Sequence, residues 1–297
     1  MKALRTPEEL FEGLAEYPFV PNYFETKDGL RMHFLDEGDR LGPVVLLLHG
    51  EPSWSYLYRN MIPPLAKAGF RVIAPDLIGF GKSDKPSEQS DYSFESHLEW
   101  LRNLLDHLKL QQITLFCQDW GGLLGLRLVA EDRDRFSGVV ASNTALPTGN
   151  VEMPKAFTDW REFSRNSPVF DIGKVIQMGT TYELSEEVLA AYNLPFPDDT
   201  YKAGARIFPL LVPIDESDPE AANNQKAWAS LMQFDKPFLT AFGSEDPITK
   251  GVDKFFQSLI PGCKGQEHQV LNAGHFIQEE KGPELAEIII KFHESNR

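Results

Sequence analysis

The chain has 297 residues, of which 42% are hydrophobic and 25% charged, and its formal net charge is −15 with a sequence pI near 4.9. This composition is typical of a folded globular protein, long enough for one α/β domain with an insertion or for two domains. The acidic balance argues against nucleic acid or an anionic membrane surface as the partner.

The N-terminal stretch from Met1 to Glu9 lacks the apolar core of a signal peptide. Two cysteines, Cys117 and Cys263, give neither a disulfide framework nor zinc-ligand spacing. We therefore expect a cytoplasmic protein with reduced thiols.

The first predicted elements form one edge and the middle of a sheet. Tyr23 to Glu37 alternates polar and apolar residues around Asp28-Gly29, which predicts an antiparallel hairpin at the sheet edge. Val44 to Leu48 is a continuous apolar run, typical of a buried parallel strand, and it ends in the turn His49 to Pro52. A second such strand is predicted over Phe70 to Ala74.

The run Gly79 to Asp84 superficially resembles a phosphate-binding loop. That pattern would need a glycine at Asp76, and here the glycines do not lead from a strand directly into a helix, so we exclude this interpretation. Apolar residues at helical spacing then predict a helix over Phe94 to Leu108.

The most informative stretch follows that helix. The apolar run Ile113 to Phe116 stops at a polar pair, and two glycines then open a predicted helix over Leu123 to Glu131, which leaves Asp119 at the apex of a strand-turn-helix. This turn resembles the nucleophile elbow of α/β-hydrolases, with the small Cys117 where glycine is commoner. A carboxylate at the apex forms an ester with an sp³ carbon by in-line displacement, and water then cleaves that ester.

The second half of the chain resumes the alternation of strands and helices. Strands are predicted over Gly138 to Asn143, Pro237 to Gly243 and His268 to Leu271, and helices near Gly251 to Leu259 and Pro283 to His293. The alternation predicts an α/β fold with a mostly parallel sheet flanked by helices.

Between those strands the pattern changes to proline-punctuated, helix-prone pieces rich in aromatic residues. We interpret residues 146–213 as a helical cap inserted into the sheet domain. Residues 1–145 and 214–297 would then be the two parts of an α/β-hydrolase core.

Polar residues that could carry chemistry follow several apolar strands, where ligands bind in such sheets. Glu51, Asp119, Asp246 and His275 lie there, and the order nucleophile, acid, histidine is that of the α/β-hydrolases. Glu245 competes for the role of the acid, and the position relative to the strand favours Asp246.

Of the seven histidines, only His275 lies between the last strand and the last helix. We expect His49 to shape its loop. The other five are expected on solvated faces or helix surfaces, without function: His33, His97, His107, His268 and His293. No histidine pair has metal-ligand spacing together with a carboxylate, so no metal site is expected.

Two tryptophans suggest the leaving group. Trp120 directly follows the nucleophile, so its backbone N–H is placed for an oxyanion hole, and Trp160 lies in the predicted cap. An indole N–H is a donor without charge, suited to a departing halide in an apolar pocket.

Taken together, these motifs resemble the haloalkane dehalogenases, in the branch typified by the enzyme that hydrolyses short chlorinated ethanes. The resemblance covers nearly the whole chain, and four segments carry it: His49 to Arg59, Cys117 to Gly122, Pro195 to Pro209 and Ala273 to Glu279.

The resemblance implies Asp119 as the nucleophile, His275 as the base for water and Asp246 as its partner. It also implies that Trp120 and Trp160 donate to the halide. No cofactor is implied, the substrate would be a small apolar halogenated compound, and we expect a monomer.

The resemblance further implies a backbone oxyanion hole made by Glu51 and Trp120. It implies an apolar pocket lined by Leu123, Phe157, Phe208 and Pro209. Leu123 stands where an aromatic residue can occur in this branch, which leaves the preferred chain length of the substrate open.

The alternatives use the same fold. Epoxide hydrolysis would keep the nucleophile and base but needs tyrosine hydroxyls in the cap, for which Tyr182, Tyr192 and Tyr201 are available. Haloacid dehalogenation would call for an arginine where Trp120 stands. A non-catalytic hydrolase-fold binding protein typically breaks a catalytic position, and here all are filled.

Overall fold

A computed structural model describes residues 1–296, and its main sheet has eight strands within that range. The strands in chain order are β1 (Ala3–Leu4), β2 (Asn22–Glu25), β3 (Arg31–Gly38), β4 (Val44–Leu48), β5 (Arg71–Pro75), β6 (Lys85–Pro86), β7 (Ile113–Gln118), β8 (Phe136–Ser142), β9 (Phe238–Gly243) and β10 (Gln269–Leu271).

The α-helices flank this sheet or follow strand β8. They are α1 (Ile62–Lys67), α2 (Phe94–His107), α3 (Trp120–Glu131), α4 (Lys155–Asn166), α5 (Ile172–Met178), α6 (Glu186–Asn193), α7 (Ala203–Leu211), α8 (Pro219–Leu231), α9 (Val252–Leu259) and α10 (Ile277–Ser295). Short 3₁₀ turns lie at Glu8–Phe11, Ser55–Tyr58, Gln89–Asp91, Arg133–Arg135, Asp199–Lys202 and Pro261–Cys263.

The strand order is β10-β9-β8-β7-β4-β5-β3-β2, and the first six of these strands run parallel. Strands β3 and β2 continue the sheet antiparallel, with Tyr23 opposite His33, so the predicted edge hairpin is confirmed. The α/β fold with a mostly parallel sheet is confirmed as well. Its consequence for function is geometric, because the parallel order brings the carboxyl ends of β4, β7, β9 and β10 to one edge.

Local sequence explains why these elements form where they do. All six residues of β7 and of β9 are buried, as expected for strands covered on both faces. Helix α2 begins at a reciprocal cap, since the backbone N–H of Ser96 donates to the Ser93 hydroxyl and the backbone N–H of Ser93 donates back to the Ser96 hydroxyl, each at 3.0 Å.

Two helices begin earlier than the sequence predicted, and a third helix was missed. Helix α3 begins at Trp120, because the two glycines there are already helical. Helix α10 begins at Ile277 and bends at the non-helical Lys281, so the Pro283 that suggested a helix start lies inside a kinked helix. Helix α8 was not predicted.

The segment between β8 and β9 is helical, as its composition suggests. Helices α4 and α7 contact each other through Arg161, which donates to the carbonyl of Pro209 at 3.3 Å, and Arg206, which donates to the carbonyl of Ser164 at 3.1 Å. Helix α8 instead packs on α3, where Arg127 forms an ion pair with Glu220 at 2.9 Å. We therefore propose residues 146–213 as the cap.

Two histidines expected on solvated surfaces are buried, and that expectation was wrong for both. His33 contacts the buried Asp76, with 2.7 Å between Nδ1 and Oδ2. His97 follows Phe94 by three residues and so lies on the buried face of α2, where its ring nitrogens face the carbonyl oxygens of Ser93 and Ile78. Across residues 1–296, no helix combines the length and apolarity that a membrane span requires.

Candidate active site

The elbow after β7 holds Asp119 in an unusual backbone conformation. Its φ of 51° and ψ of −127° are rare for a residue with a side chain and cost about 1–3 kcal/mol. The turn is possible because its neighbours are glycines: a Cβ on Gly121 would overlap the Leu48 carbonyl, and one on Gly122 would overlap the Thr144 side chain. The strained turn presents the Asp119 carboxylate above the carboxyl edge of the sheet.

Both oxygens of the Asp119 carboxylate have neighbours. The backbone N–H of Glu51 donates to Oδ1 at 2.7 Å, and Nε2 of His275 lies 3.5 Å from Oδ2. The backbone is tied down separately, because the Thr144 hydroxyl donates to the Asp119 carbonyl at 2.8 Å and the Asp119 N–H donates to the Asn143 carbonyl at 3.0 Å. One backbone donor thus already contacts the predicted nucleophile.

The predicted acid and base lie side by side. His275 Nδ1 is 3.0 Å from Oδ2 of Asp246, which also accepts from the Thr249 hydroxyl, while Oδ1 accepts from the backbone N–H of Ile248 at 2.9 Å. Asp246 is fully buried, and Glu245 faces solvent. The structure therefore places Asp246, and not Glu245, against the histidine.

The electrostatics of this pair favour charge on both members. Burial alone would lower the pKa of His275, but the nearby carboxylates of Asp246 and Asp119 raise it above its usual value. Burial by itself would raise the pKa of Asp246. The charge of His275 and the hydrogen bonds that Asp246 accepts have a larger effect, so the pKa is lowered. Both shifts favour an ion pair between His275 and Asp246.

A cavity of about 430 Å³ lies between the cap and the edge of the sheet. This volume suits a small ligand. Its lining is mostly apolar and includes eight residues expected at the site: Glu51, Asp119, Trp120, Leu123, Phe157, Trp160, Pro209 and His275.

Phe208 does not line the cavity, contrary to expectation. It is fully buried behind Trp120, with ring centroids 4.6 Å apart, because its position on α7 turns it towards the core while the next residue, Pro209, faces the cavity. On another side Trp120 packs against Phe94 at 5.2 Å. Phe208 therefore fixes the indole of Trp120 from behind.

Trp160 reaches the cavity from α4 in the cap. It stacks on Phe163 and Phe170, with both centroid distances 5.7 Å, and remains partly exposed. Its indole interacts with the side chain of Glu51, which is buried at the cavity wall and whose Oε1 has no hydrogen-bond partner. Burial and the neighbouring charge of Asp119 raise the pKa of Glu51 well above its usual value, which favours the neutral form of this acid.

The three tyrosines that an epoxide hydrolase would need lie elsewhere. Tyr182 donates to the carbonyl of Glu279 at 3.0 Å, and Tyr192 donates to the carboxylate of the same residue. Neither they nor Tyr201 are among the described residues that line the cavity. The cavity therefore offers no phenolic acid to a leaving alkoxide.

Asn143 is a site residue that sequence reasoning missed. Its side chain donates to the carbonyls of Gly274 and His275 at 2.8 and 3.0 Å and accepts from the N–H of Gly243 at 2.7 Å, while its carbonyl accepts from Asp119. It thus connects the turns that carry the predicted nucleophile, acid and base. The rule that located Asp119 and Asp246 passed it over because the predicted strand included Asn143, whereas β8 ends one residue earlier, at Ser142.

Within residues 1–296, no group of three or more His, Cys, Asp or Glu side chains is arranged to hold a metal ion.

Comparison with known proteins agrees with this geometry. Residues 43–282 match the model of the α/β hydrolase fold family. The chain is 52% identical to a haloalkane dehalogenase of Psychrobacter cryohalolentis over 100% of this chain and 99% of that one, and 52% identical to one of Mycolicibacterium paratuberculosis over 99% of each. A solved tetrameric structure, haloalkane dehalogenase DpaA from Paraglaciecola agarilytica NO2, has a TM-score of 0.91 at 38% identity and 97% coverage of each chain. The chain therefore belongs to the haloalkane dehalogenases, within the α/β-hydrolase fold.

Proposed function

We propose that this enzyme hydrolyses small haloalkanes to an alcohol, a halide ion and a proton through a covalent ester on Asp119. The observation that carries the proposal is the position of the Asp119 carboxylate. Asp119 lines an apolar cavity together with Trp120, Trp160 and His275, and His275 is paired with Asp246.

The first step is displacement at carbon. Oδ1 of Asp119 accepts the Glu51 N–H, which leaves Oδ2 for attack on the carbon that bears the halogen. The new C–O bond forms as the carbon–halogen bond breaks, and the halogen leaves with the electron pair. Holding carbon and carboxylate in line within a dry cavity supplies much of the rate.

The second step hydrolyses the ester. A water molecule attacks the carbonyl carbon of Asp119, and one of its protons passes to Nε2 of His275. The bond between that carbon and Oδ2 then breaks, His275 returns the proton to the departing alkoxide, and the new carboxyl group loses its remaining proton to solvent as the carboxylate reforms. Oδ1 is the carbonyl oxygen on which negative charge develops, and it already accepts the Glu51 N–H. Trp120, the first residue of α3, adds a backbone N–H that has no partner within the helix.

Alkylation also prepares the base. While Asp119 is charged, its carboxylate helps to raise the pKa of His275. The ester has no charge, so the pKa of His275 falls once alkylation is complete, and the imidazole becomes a base when one is needed.

The departing halide would sit between the indoles of Trp120 and Trp160. Both line the cavity, and an N–H donor without charge gains strength where water is excluded. Glu51 completes this wall, and as a neutral acid it adds no repulsion to an anion. Leu123, Phe157 and Pro209 would contact the alkyl chain.

Trp160→Phe should weaken halide binding by about tenfold or more, since it removes one hydrogen bond to a charged group but keeps the aromatic stack. The measurement is quenching of tryptophan fluorescence by bromide. Trp228→Phe is the matched control, because the Trp228 indole donates to the Leu146 carbonyl at 2.8 Å outside the cavity. Equal bromide affinity in wild type and Trp160→Phe would remove Trp160 from the halide site.

The reaction class is tested by one parallel assay on the wild-type enzyme. Bromoethane, bromobutane and bromohexane are followed for halide release, and styrene oxide and epoxyhexane for diol formation. We expect halide and alcohol in equal amounts and no diol, because no tyrosine lines the described cavity. Diol formation would favour the epoxide reaction, and ligand-dependent stabilisation without either product would favour a binding protein.

Two further predictions stay open to experiment. We retain a cytoplasmic location from the sequence. We also retain a monomer, and sedimentation at micromolar concentration is its direct test, since the related DpaA structure is described as tetrameric.

A further inference from the structure

The buried side chain of Gln118 contacts the predicted base, His275. Gln118 is the last residue of β7 and directly precedes the nucleophile, and it is fully buried. Its Nε2 donates to the carbonyl of His275 at 3.1 Å and lies 3.2 Å from His275 Nε2. No step of the mechanism above uses this residue.

The orientation of this amide is determined by its partners. A carbonyl oxygen only accepts, so the group that faces the His275 carbonyl must be the NH₂ of Gln118. At the other end the amide oxygen accepts from Nε2 of Gln278, another fully buried side chain, at 3.3 Å. A flipped amide would place two acceptors together at one end and two donors together at the other.

An NH₂ group next to His275 Nε2 distinguishes between the forms of the ring. Neutral imidazole with its proton on Nδ1, towards Asp246, has a lone pair on Nε2 that can accept from Gln118. Protonated imidazole places N–H against N–H, which is repulsive. Gln118 thus favours the neutral ring, which is the form that a general base requires. Its effect on the pKa of His275 is opposite to that of the Asp119 and Asp246 carboxylates, which favour the protonated ring.

We propose that Gln118 is a positioning residue that favours His275 with its proton on Nδ1, so that Nε2 is unprotonated and can accept the proton of water in exchange for the Gln118 N–H. The inference rests on the proposed function, because it concerns hydrolysis of the Asp119 ester. Gln118 and Asn143 both donate to the backbone carbonyl of His275, Asn143 at 3.0 Å. Of these two residues, Gln118 alone also contacts the ring nitrogen Nε2.

The effect should be largest after alkylation. Three acidic groups face His275: Asp119, Asp246 and the neutral Glu51. Esterification removes the charge of Asp119, which leaves Asp246 to favour the protonated ring and the Gln118 amide to oppose it. The balance between these two then sets the pH above which the ester is hydrolysed.

The test is the pH dependence of ester hydrolysis in single turnovers with bromobutane, followed by rapid quenching and intact mass. Gln118→Met keeps the length but removes the donor, and Gln118→Glu replaces it with an acceptor. We expect the midpoint of the pH profile to rise by about one pH unit in Gln118→Met and further in Gln118→Glu, as loss of one hydrogen bond to the neutral ring predicts. Gln257→Met is the control, because Gln257 donates to Thr240 at 2.8 Å outside the cavity.

A slower hydrolysis with the wild-type midpoint in both variants would overturn the inference, because it would indicate a packing role alone. Should Gln118→Glu fail to fold, Gln278→Met removes the donor that orients the amide and should raise the midpoint by a smaller amount, and an unchanged midpoint there would also overturn it. Failure of the proposed function would be distinct: no adduct would form in wild type or in a His275 variant at any pH.

Discussion

Replacing His275 with phenylalanine is expected to yield an enzyme that releases one equivalent of halide and then stops with an alkyl group on Asp119. The nucleophile, the cavity and both indoles remain in this variant, so displacement at carbon proceeds. Phenylalanine cannot accept a proton, so water is not activated. Steady-state turnover should fall by about a thousandfold, the range typical of a lost general base.

The charges of the site give this prediction a second part. In the wild type the carboxylates of Asp246 and Asp119 hold the pKa of His275 above its usual value. The proposed alkylation would neutralise Asp119 and so lower this pKa. Hydrolysis should therefore slow as the pH falls through the pKa of His275 in the ester, and adduct should accumulate in wild type at acidic pH. In His275→Phe the adduct should accumulate at every pH.

Intact-mass spectrometry after exposure to bromobutane measures the adduct, and peptide mapping should locate it on the segment that contains Asp119. His107→Phe serves as the control, since His107 is exposed and lies outside the cavity, and it should turn over normally without accumulating adduct. A His275→Phe protein that releases halide repeatedly, or releases none, would contradict a two-step reaction with histidine acting only in the second.

The parallel strands and the residues after them could be predicted because both follow from local sequence. Apolar runs such as Val44–Leu48 must be buried on both faces, and the polar residue after each run then falls at the carboxyl edge. The positions of Asp119 and His275 at one cavity follow from that rule. Helix α8 carries local signals that the sequence analysis overlooked, since Asp218 caps it and Pro219 and Glu220 lie in its first turn. The start of α10 escaped prediction because Pro283, a typical first-turn residue, lies inside a kinked helix.

Buried polar side chains were the main failure of the sequence analysis. A buried polar side chain is stable only when it has hydrogen-bond partners. His33 has Asp76, and His97 has two backbone carbonyls. Those partners are distant in sequence or require the fold to be known. The same holds for Gln118, whose partner His275 is 157 residues away, so no local pattern could assign it a role.

Phe208 shows the limit of resemblance. Its neighbour Pro209 lines the cavity and Phe208 does not. A resemblance that covers a whole segment does not indicate which of two adjacent helical residues faces the substrate. The structure places Phe208 against Trp120 instead, where it can influence halide binding only through the indole.

Asp119→Ala should abolish halide release, with a loss of more than about ten thousandfold, because no covalent ester can form. The same variant should bind bromide more tightly than wild type, by about tenfold, since it removes a negative charge beside the two indoles. These opposite effects separate loss of the nucleophile from misfolding, which would weaken both properties together.

Halide release from bromobutane and fluorescence quenching by bromide are the two measurements. Asp132→Ala is the control: Asp132 is an exposed carboxylate at the other end of α3, and both readings should remain at wild-type values. If Asp119→Ala still released halide, another cavity carboxylate would have to attack. Burial, the largest cause of the raised pKa of Glu51, remains in this variant and makes Glu51 a poor nucleophile, and Asp159 is bound to Lys155 at 2.6 Å. Retained activity would therefore overturn the proposed role of Asp119.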